Sequence, residues 1–376
     1  MPVTKPCDER MRILHILLSQ GFAGSERSTA ESCNAQSLRH TVGLVVGTNH
    51  RSSQGQSVVD HLSPEVQVIE LPRWWGRQKA LQAGIEAFQP DVIHCHLRRA
   101  TRMALKLRFD RMEAFLSAKP GVRPPRVATL HVEPNSKAYL GMDGLICNAQ
   151  WQIEAVKAMA PAYPGLLFKA NNSVIPHPRL PKEKRQALRQ SLGIGEHDFF
   201  VGGAGRYTHE KGFDQVISAF RQLPHERLRL RLFGQGHALT ELQTLARNDP
   251  RIQVLGFRDD IKDLYQAMDV FICPSRWEPL PRVVLEAMDA GTPVIASMAE
   301  GCKELIQRYE GQLFEIDNVA QLAACIEETL QRGPSRTQID LSEHHLENAN
   351  AGVERFYEEC RRHAASLSSR LYNSVS

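Results

Sequence analysis

Residues 273–297 read Cys273-Pro-Ser-Arg-Trp-Glu-Pro-Leu-Pro-Arg-Val-Val-Leu-Glu-Ala-Met-Asp-Ala-Gly-Thr-Pro-Val-Ile-Ala-Ser297. The apolar runs Val270–Cys273 and Pro293–Ala296 have the composition of strands buried on both faces. Between them, Pro279 and Pro281 keep Glu278 in a non-helical loop. Pro281 suits a first helical turn, where its missing N–H costs nothing. The helix then runs from Arg282 to about Ala290 and stops at Gly291, before Pro293. Strand, loop, helix and strand together make a unit of a parallel sheet, whose strand ends are where such sheets bind ligands. The inner helix, Val283–Met288, carries one charge, Glu286, and a carboxylate in so apolar a stretch needs hydrogen-bond partners. Taken alone, Glu286 reads equally as a core carboxylate tied to backbone. With Glu278 at the helix entrance, the two are spaced to grip two parts of one elongated polar ligand.

The same rhythm extends in both directions. Strands are expected at 12–18, 41–46, 66–71, 92–96, 126–130, 144–148 and 173–175, and again at 199–205, 227–233, 252–255, 270–273 and 293–296. Amphipathic stretches such as Ser25–Leu38, Gln78–Phe88 and Gly212–Arg221 separate them. This alternation predicts an α/β protein with helices on both faces of parallel sheets. The break falls at Pro176-His-Pro-Arg-Leu-Pro181, since three prolines in six residues favour an extended linker. The expected organisation is a loose leader at 1–10, an N-terminal domain at 11–178, a C-terminal domain at 179–345 and a terminal helix and tail at 346–376.

At 376 residues, 42% hydrophobic and 23% charged, the chain has the make-up of a globular protein that buries its own core. A net charge of +4 permits acidic partners without demanding nucleic acid, and none is expected. The eight cysteines form no C-x-x-C pair, and several sit in apolar runs, as reduced buried thiols do. The apolar stretch Ile13–Leu18 is short and broken by His15, so it reads as a buried first strand rather than a signal peptide. No window approaches the length of a transmembrane helix.

Three further segments carry chemistry. In Val201-Gly-Gly-Ala-Gly-Arg-Tyr-Thr-His-Glu-Lys-Gly-Phe213, a strand ends in glycines that let backbone approach a ligand, and Arg206 and Lys211 supply charge for phosphate. Loop charges on a solvated surface are the plain alternative. The third glycine of the dinucleotide fingerprint is missing, and there is no G-x-x-x-x-G-K-[ST], so NAD is poorly supported. Gly21-Phe-Ala-Gly24, before a helix, has the form of an anion-binding turn, although such turns are also plain connectors. His131 ends one strand. His94 and His96 share one face of another, where hydrogen bonding is expected rather than metal binding, since no third ligand is apparent nearby. No Asp-x-Asp occurs, which argues against a carboxylate-held metal, and no G-x-S-x-G occurs.

Glu278-x7-Glu286-Ala-Met-x-Ala-Gly-x-Pro-Val-Ile-Ala-Ser297 resembles the signature of retaining GT-B glycosyltransferases, specifically glycosyltransferase family 4. Gly205-Arg-x4-Lys-Gly212, Leu232-Phe-Gly-Gln-Gly236, Leu255-Gly-Phe-Arg-Asp-Asp260 and the Gly21-to-Glu26 loop are similar to it too. The resemblance spans Met11 to about Tyr357 and is strongest in the C-terminal half. It implies two Rossmann-like domains, with parallel sheets facing an interdomain cleft, and a nucleotide-sugar donor, UDP by family frequency. It further implies that Arg206 and Lys211 bind the donor diphosphate, Glu286 the ribose and Glu278 the transferred sugar. Gly24 would let a loop approach the phosphates, His131 would lie near the donor sugar, and Phe257 would line the base. No metal and no cofactor are expected.

Where the family often has Phe-Gly after the first Glu, this chain has Leu280-Pro281. Pro281 cannot donate, so the amides of Arg282 and Val283 are the substitutes. The linker reads Ile175-Pro-His-Pro178 where Pro-Asn-Gly is common. The resemblance places the acceptor among bacterial glycans, such as lipopolysaccharide core or capsule, free or lipid-linked. The rival readings are a nucleotide-sugar epimerase on the same fold and an NAD-dependent oxidoreductase.

The most basic stretch, Leu97–Leu116, carries Arg98, Arg99, Arg102, Lys106, Arg108 and Arg111 against Asp110 and Glu113. Met103, Leu107, Phe109, Met112, Phe115 and Leu116 fall at roughly helical spacing. It reads either as a packing helix with a solvated basic face or as a helix resting weakly on anionic lipid. The expected location is the cytoplasm, with a peripheral seat on the inner face of the cytoplasmic membrane as the second option.

Overall fold

The computed structural model describes residues 10–52, 55–109, 123–333 and 335–373, with side chains described to residue 366. The chain divides into two compact units. Unit 1 comprises residues 1–173 and 343–376, and unit 2 comprises residues 174–342.

In unit 1 the elements run β1 (Arg12–Leu17), α1 (Gly24–Ser37), β2 (Thr41–Gly47), β3 (Gln67–Leu71), α2 (Arg77–Phe88), β4 (Val92–His96) and α3 (Leu97–Ala104). They continue with β5 (Arg126–Leu130), β6 (Gly144–Cys147), α4 (Gln150–Met159) and β7 (Leu166–Lys169). All seven strands are parallel, in the order β3-β2-β1-β4-β5-β6-β7. The central strands are mostly apolar, as strands covered on both faces are, and every residue of β4 is buried, histidines included.

Unit 2 contains α5 (Lys182–Ser191), β8 (Phe199–Ala204), α6 (Phe213–Arg221), β9 (Leu228–Phe233), α7 (Leu239–Ala246), β10 (Ile252–Leu255) and α8 (Ile261–Ala267). Then follow β11 (Val270–Cys273), α9 (Arg282–Asp289), β12 (Val294–Ser297), α10 (Glu300–Arg308), β13 (Gln312–Phe314) and α11 (Val319–Arg332). Its parallel sheet has the order β10-β9-β8-β11-β12-β13. Two chemically rich segments, those after β8 and β11, therefore leave neighbouring strand ends, although Arg206 and Glu278 lie far apart in sequence.

The terminal helix α12 (Leu346–Asn373) belongs to unit 1. Its Phe356, Tyr357 and Cys360 form one apolar cluster with Ile13, Val92, Val127 and Ile146 of the sheet. A side chain at Gly144 would meet the Cys360 sulfur at 2.6 Å, so α12 is seated directly on the β6 backbone.

Three expectations are corrected. Residues 173–175 make no strand: Pro176 and Pro178 follow, and the seventh strand is Leu166–Lys169 instead. Pro281 caps α9 rather than standing inside its first turn. The basic helix ends at Ala104, not Leu116. Leu107 and Phe109 turn into the core of unit 1, so they are not apolar surface. The remainder, 110–116, lies outside the described residues.

Candidate functional site

In unit 2 the site grows from two adjacent strand ends. After β8 the chain turns through Gly205, Arg206, Tyr207 and Thr208 into a short 3-10 turn, His209–Lys211, and then α6. Gly212 makes this possible: its φ is +66°, and a Cβ there would meet the Pro274 carbonyl oxygen at 2.2 Å. Only glycine lets the turn lie against the end of β11, and that contact places Lys211 beside the loop that carries Glu278.

Lys211 Nζ donates to Glu278 Oε2, and Ser275 Oγ donates to the same oxygen at 3.3 Å. Burial opposes the Lys211 charge, but the Glu278 carboxylate favours it and prevails, so the Lys211 pKa lies above the ordinary lysine value. An ammonium group has three donors, so Lys211 can hold Glu278 and still offer N–H groups to a second anion. Arg206 is exposed beside it.

The Glu278 loop is fastened from several sides. Ser297 Oγ donates to the Ser275 carbonyl at 2.5 Å, and the Gly301 amide donates to the Glu278 carbonyl at 3.1 Å. Arg276 bridges the two strand-end loops. It reaches Asp214 at 2.8 and 2.6 Å, Asp317 at 2.8 Å and the His209 carbonyl at 2.8 Å. This clamp was not singled out in the sequence, where Arg276 reads as one more loop charge. Leu280 is buried, and Arg282 and Val283 open α9, at the end of the helix its own carbonyls do not reach. Glu286 is buried on the same helix, within 3.4 Å of the Tyr265 hydroxyl. Phe257, just beyond β10, is 56% exposed.

Unit 1 holds the remaining expected residues. Gly24 is the first residue of α1, and a Cβ there would meet open space. The Glu26 carboxylate accepts from the Ala23 amide at 3.1 Å, so the helix entrance carries its own anion. His131 follows β5 and does not stand alone. His15 on β1 pairs in register with His94 on β4, and His96 pairs with Thr129 on β5, so these side chains form a row on one sheet face.

His15 Nε2 donates to the Gln36 amide oxygen at 2.9 Å. His15 Nδ1 lies 2.9 Å from His96 Nε2, and His96 Nδ1 lies 3.0 Å from His131 Nε2. His94 bonds to the Tyr357 hydroxyl at 2.6 Å and to Thr129 Oγ1 at 2.7 Å. Burial lowers the His15 pKa to about 4 and pushes those of His94 and His96 well below the ordinary value. Directly after His96, Leu97 takes a φ of +66°, a left-handed conformation costly for leucine, which turns the chain sharply into α3.

The row supplies the third ligand that the sequence did not show. His15, His94 and His96 bring ligand nitrogens within 4.8 Å of one another. All six ring nitrogens already make hydrogen bonds, however, so a metal there would have to displace several of them.

Residues 184–342 match the family model "Glycosyl transferases group 1". An uncharacterized glycosyltransferase of Methanocaldococcus jannaschii is 28% identical over 58% of this chain and 60% of its own length. The lipopolysaccharide core biosynthesis glycosyltransferase LpsE of Rhizobium meliloti is 32% identical over 37% of this chain and 42% of its own. The chain thus spans about half the length of these two relatives. The crystal structure of Anabaena HepE in complex with UDP-glucose superposes with a TM-score of 0.69 at 22% identity, covering 97% of this chain and 100% of that one. Likeness at that identity establishes the fold.

Proposed function

Residues 184–342 belong to the glycosyl transferases of group 1 and the whole chain has the GT-B architecture, and from that premise we propose that it transfers a sugar from a UDP-sugar to a bacterial glycan, with retention of anomeric configuration. The observation that carries this reading is the Lys211–Glu278 pair, built by the close approach of Gly212 to Pro274 inside the family segment. It puts a fixed ammonium next to a carboxylate that can accept from sugar hydroxyls, with the exposed Arg206 alongside. HepE supports the donor, since its structure is described with UDP-glucose. LpsE supports a lipopolysaccharide-core acceptor.

In this reading Arg206 and Lys211 hold the diphosphate and stabilise the charge that grows on it as the glycosidic bond breaks. The Arg282 and Val283 amides and the positive end of α9 add to that field. Glu286 holds the ribose hydroxyls, Phe257 lines the base, and Glu278 orients the sugar. The acceptor hydroxyl forms the new bond at the anomeric carbon on the face the diphosphate leaves, and its proton passes to a donor phosphate oxygen. Two cationic side chains supply the neutralising charge, so no metal is called for, and transfer should persist in EDTA.

Among the described residues no helix is long and apolar enough to cross a membrane. We place the enzyme in the cytoplasm, resting on the inner face of the membrane. Support comes from Trp74 and Trp75, which are 73% and 90% exposed at the entrance to α2 and are flanked by Arg73 and Arg77. Arg99 of α3 is close enough to Arg77 to lower its pKa further, beyond the effect of burial. Indole rings among guanidinium groups suit the headgroup layer of anionic lipid.

Calorimetric titration tests the donor assignment: UDP should bind the parent protein and bind Lys211→Ala far more weakly, and equal binding by both would end it. Co-sedimentation tests the membrane seat. Phosphatidylglycerol vesicles should retain the protein at low salt, and Trp74→Ala/Trp75→Ala should release it. Equal recovery with phosphatidylcholine vesicles would remove that part.

A further inference from the structure

Two thiols lie in contact behind the Lys211–Glu278 pair of unit 2. Cys273 is the last residue of β11, Cys302 stands in the first turn of α10, and their sulfurs are 3.7 Å apart. Both adjoin the loop that carries Glu278. Cys273 Sγ lies 3.8 Å from Ser275 Oγ, the hydroxyl that donates to Glu278. Next to Cys302, a side chain at Gly301 would meet the Pro279 carbonyl oxygen at 2.2 Å, so the entrance of α10 is pressed against the Glu278–Pro279 backbone. The pair also differs chemically from the other buried thiols. Burial raises the pKa of Cys33 and pushes those of Cys95, Cys147 and Cys360 up to about 12. At Cys273 the Cys302 thiol, helped by Lys211 and Ser275, outweighs burial and the Glu278 charge and holds the pKa below the ordinary thiol value. Cys302, with its proton engaged by Cys273 and its side chain buried, lies well above that value. A thiolate beside a protonated partner thiol is the arrangement that reacts with oxidants and then closes on itself.

We propose that Cys273 and Cys302 are a reversible oxidation site, closed to a disulfide by a hydroperoxide, and that closure slows sugar transfer by shifting the Glu278 loop. The effect on transfer rests on the proposed function; the bond does not. Cys273 keeps 4% of its surface and Cys302 none, so a water-sized peroxide meets Cys273 first. The Cys273 thiolate attacks one peroxide oxygen: the S–O bond forms, the O–O bond breaks, and the leaving hydroxide takes up a proton to become water. The Cys302 thiol then attacks the same sulfur, the S–S bond forms, and the sulfenic oxygen leaves as water with the Cys302 proton. Two thiols have then lost two electrons and two protons, and hydrogen peroxide has become two waters. A disulfide is about 2.05 Å long, so the sulfurs must approach by roughly 1.7 Å, about 0.8 Å each if they share the movement. This displaces the sulfur beside Ser275 Oγ and discharges the thiolate that favours the Lys211 ammonium. Both changes bear on the hydrogen bonds that fix Glu278. A small thiol reverses the step by exchange.

The test exposes the reduced full chain to hydrogen peroxide, unfolds and alkylates it, and maps the thiols by mass spectrometry. A Cys273–Cys302 link should form while Cys33, Cys95, Cys147 and Cys360 are still alkylated, and dithiothreitol should open it. Free thiols at 273 and 302 once those four have reacted would overturn the proposal. Cys302→Ala lacks the second thiol, so its Cys273 should pass on to a sulfinic acid that dithiothreitol does not reverse. Turnover of a UDP-sugar by the linked parent should fall about tenfold or more, since misplacing an orienting group by on the order of 1 Å is enough for that. It should return with dithiothreitol in the parent and not in peroxide-treated Cys302→Ala, whose untreated rate should equal the parent's. Unchanged turnover by the fully linked protein would overturn the effect on transfer. If the link forms and opens while the reduced protein turns over no nucleotide sugar, the oxidation site stands and the proposed function falls.

Discussion

His15 makes the stability of unit 1 acid-sensitive in a way that can be measured at one residue. Its folded pKa is about 4, lowered by complete burial against the smaller opposing effect of Gln36. In the unfolded chain a histidine titrates near 6.5, so the difference of roughly 2.5 units is worth ~3 kcal/mol at about 1.4 kcal/mol per unit. Above pH 6.5 the ring is neutral in both states and its full contribution is present. Between pH 6.5 and 4 the unfolded chain takes up a proton that the folded one refuses, so stability falls with pH. Below pH 4 both states are protonated and the loss levels off. His94 and His96, pushed the same way by burial, steepen the fall. The perturbation is His15→Gln, which removes the titrating ring. Trp74, Trp75 and Trp151 lie in unit 1, so fluorescence-detected urea unfolding in a Trp277→Phe background reports that unit. Between pH 6 and 5 the variant should lose about one proton's worth of slope, ~1 kcal/mol per pH unit, and its deficit at pH 7.5 should narrow on acidification. Parallel lines for parent and variant from pH 6.5 to 4.5 would refute the assignment of a buried neutral His15.

Three further outcomes follow from the geometry. Arg206→Ala and Lys211→Ala should each reduce kcat/KM by an amount equivalent to about 2.7–4 kcal/mol, because their charge matters most as the diphosphate leaves; the melting temperature should hold in Arg206→Ala and fall in Lys211→Ala, which strips the buried Glu278 of its ammonium partner, and steady-state kinetics on a UDP-sugar checks the loss. Glu286→Ala should weaken binding of free UDP, whereas Glu278→Ala should spare UDP and impair transfer, a contrast that calorimetry and kinetics separate. Asp143→Asn should cost about 2 kcal/mol, since Asp143 accepts from Arg123 at 2.7 and 2.6 Å and from the Arg126 amide at 2.7 Å. Burial opposes the Asp143 charge, but these partners outweigh it and hold its pKa below the ordinary carboxylate value. That contribution is present above the unfolded carboxylate pKa and fades as pH falls through the folded one, so urea unfolding should find parent and variant converging below about pH 4.

Most strands could be read because each is a short apolar run closed by a turn. Val92–His96, Arg126–Leu130, Ile252–Leu255 and Val270–Cys273 have the expected ends. Leu166–Lys169 and Gln312–Phe314 escaped because edge strands of three or four residues are too short to carry a periodic signal. The helix from Leu97 was overextended because basic and apolar residues at helical spacing look alike whether the chain continues or turns inward at Leu107. In the candidate site, residue types were legible and contacts were not. Nothing in a linear sequence says that β8 lies beside β11, which is what brings Lys211 to Glu278 across 67 positions. The histidine row was hidden for the same reason. His94 and His96 showed a shared face, but His15 joins them only through the register of β1 on β4.

The central claim is sugar transfer from a nucleotide, and proton NMR of the purified chain with single nucleotide sugars tests it most directly. The account predicts that one UDP-sugar is consumed with release of UDP, that the sugar first appears with the anomeric configuration of the donor, and that Lys211→Ala abolishes the signal. A sugar inverted at a ring carbon while still attached to its nucleotide, with no UDP released, would contradict it and make the chain an epimerase.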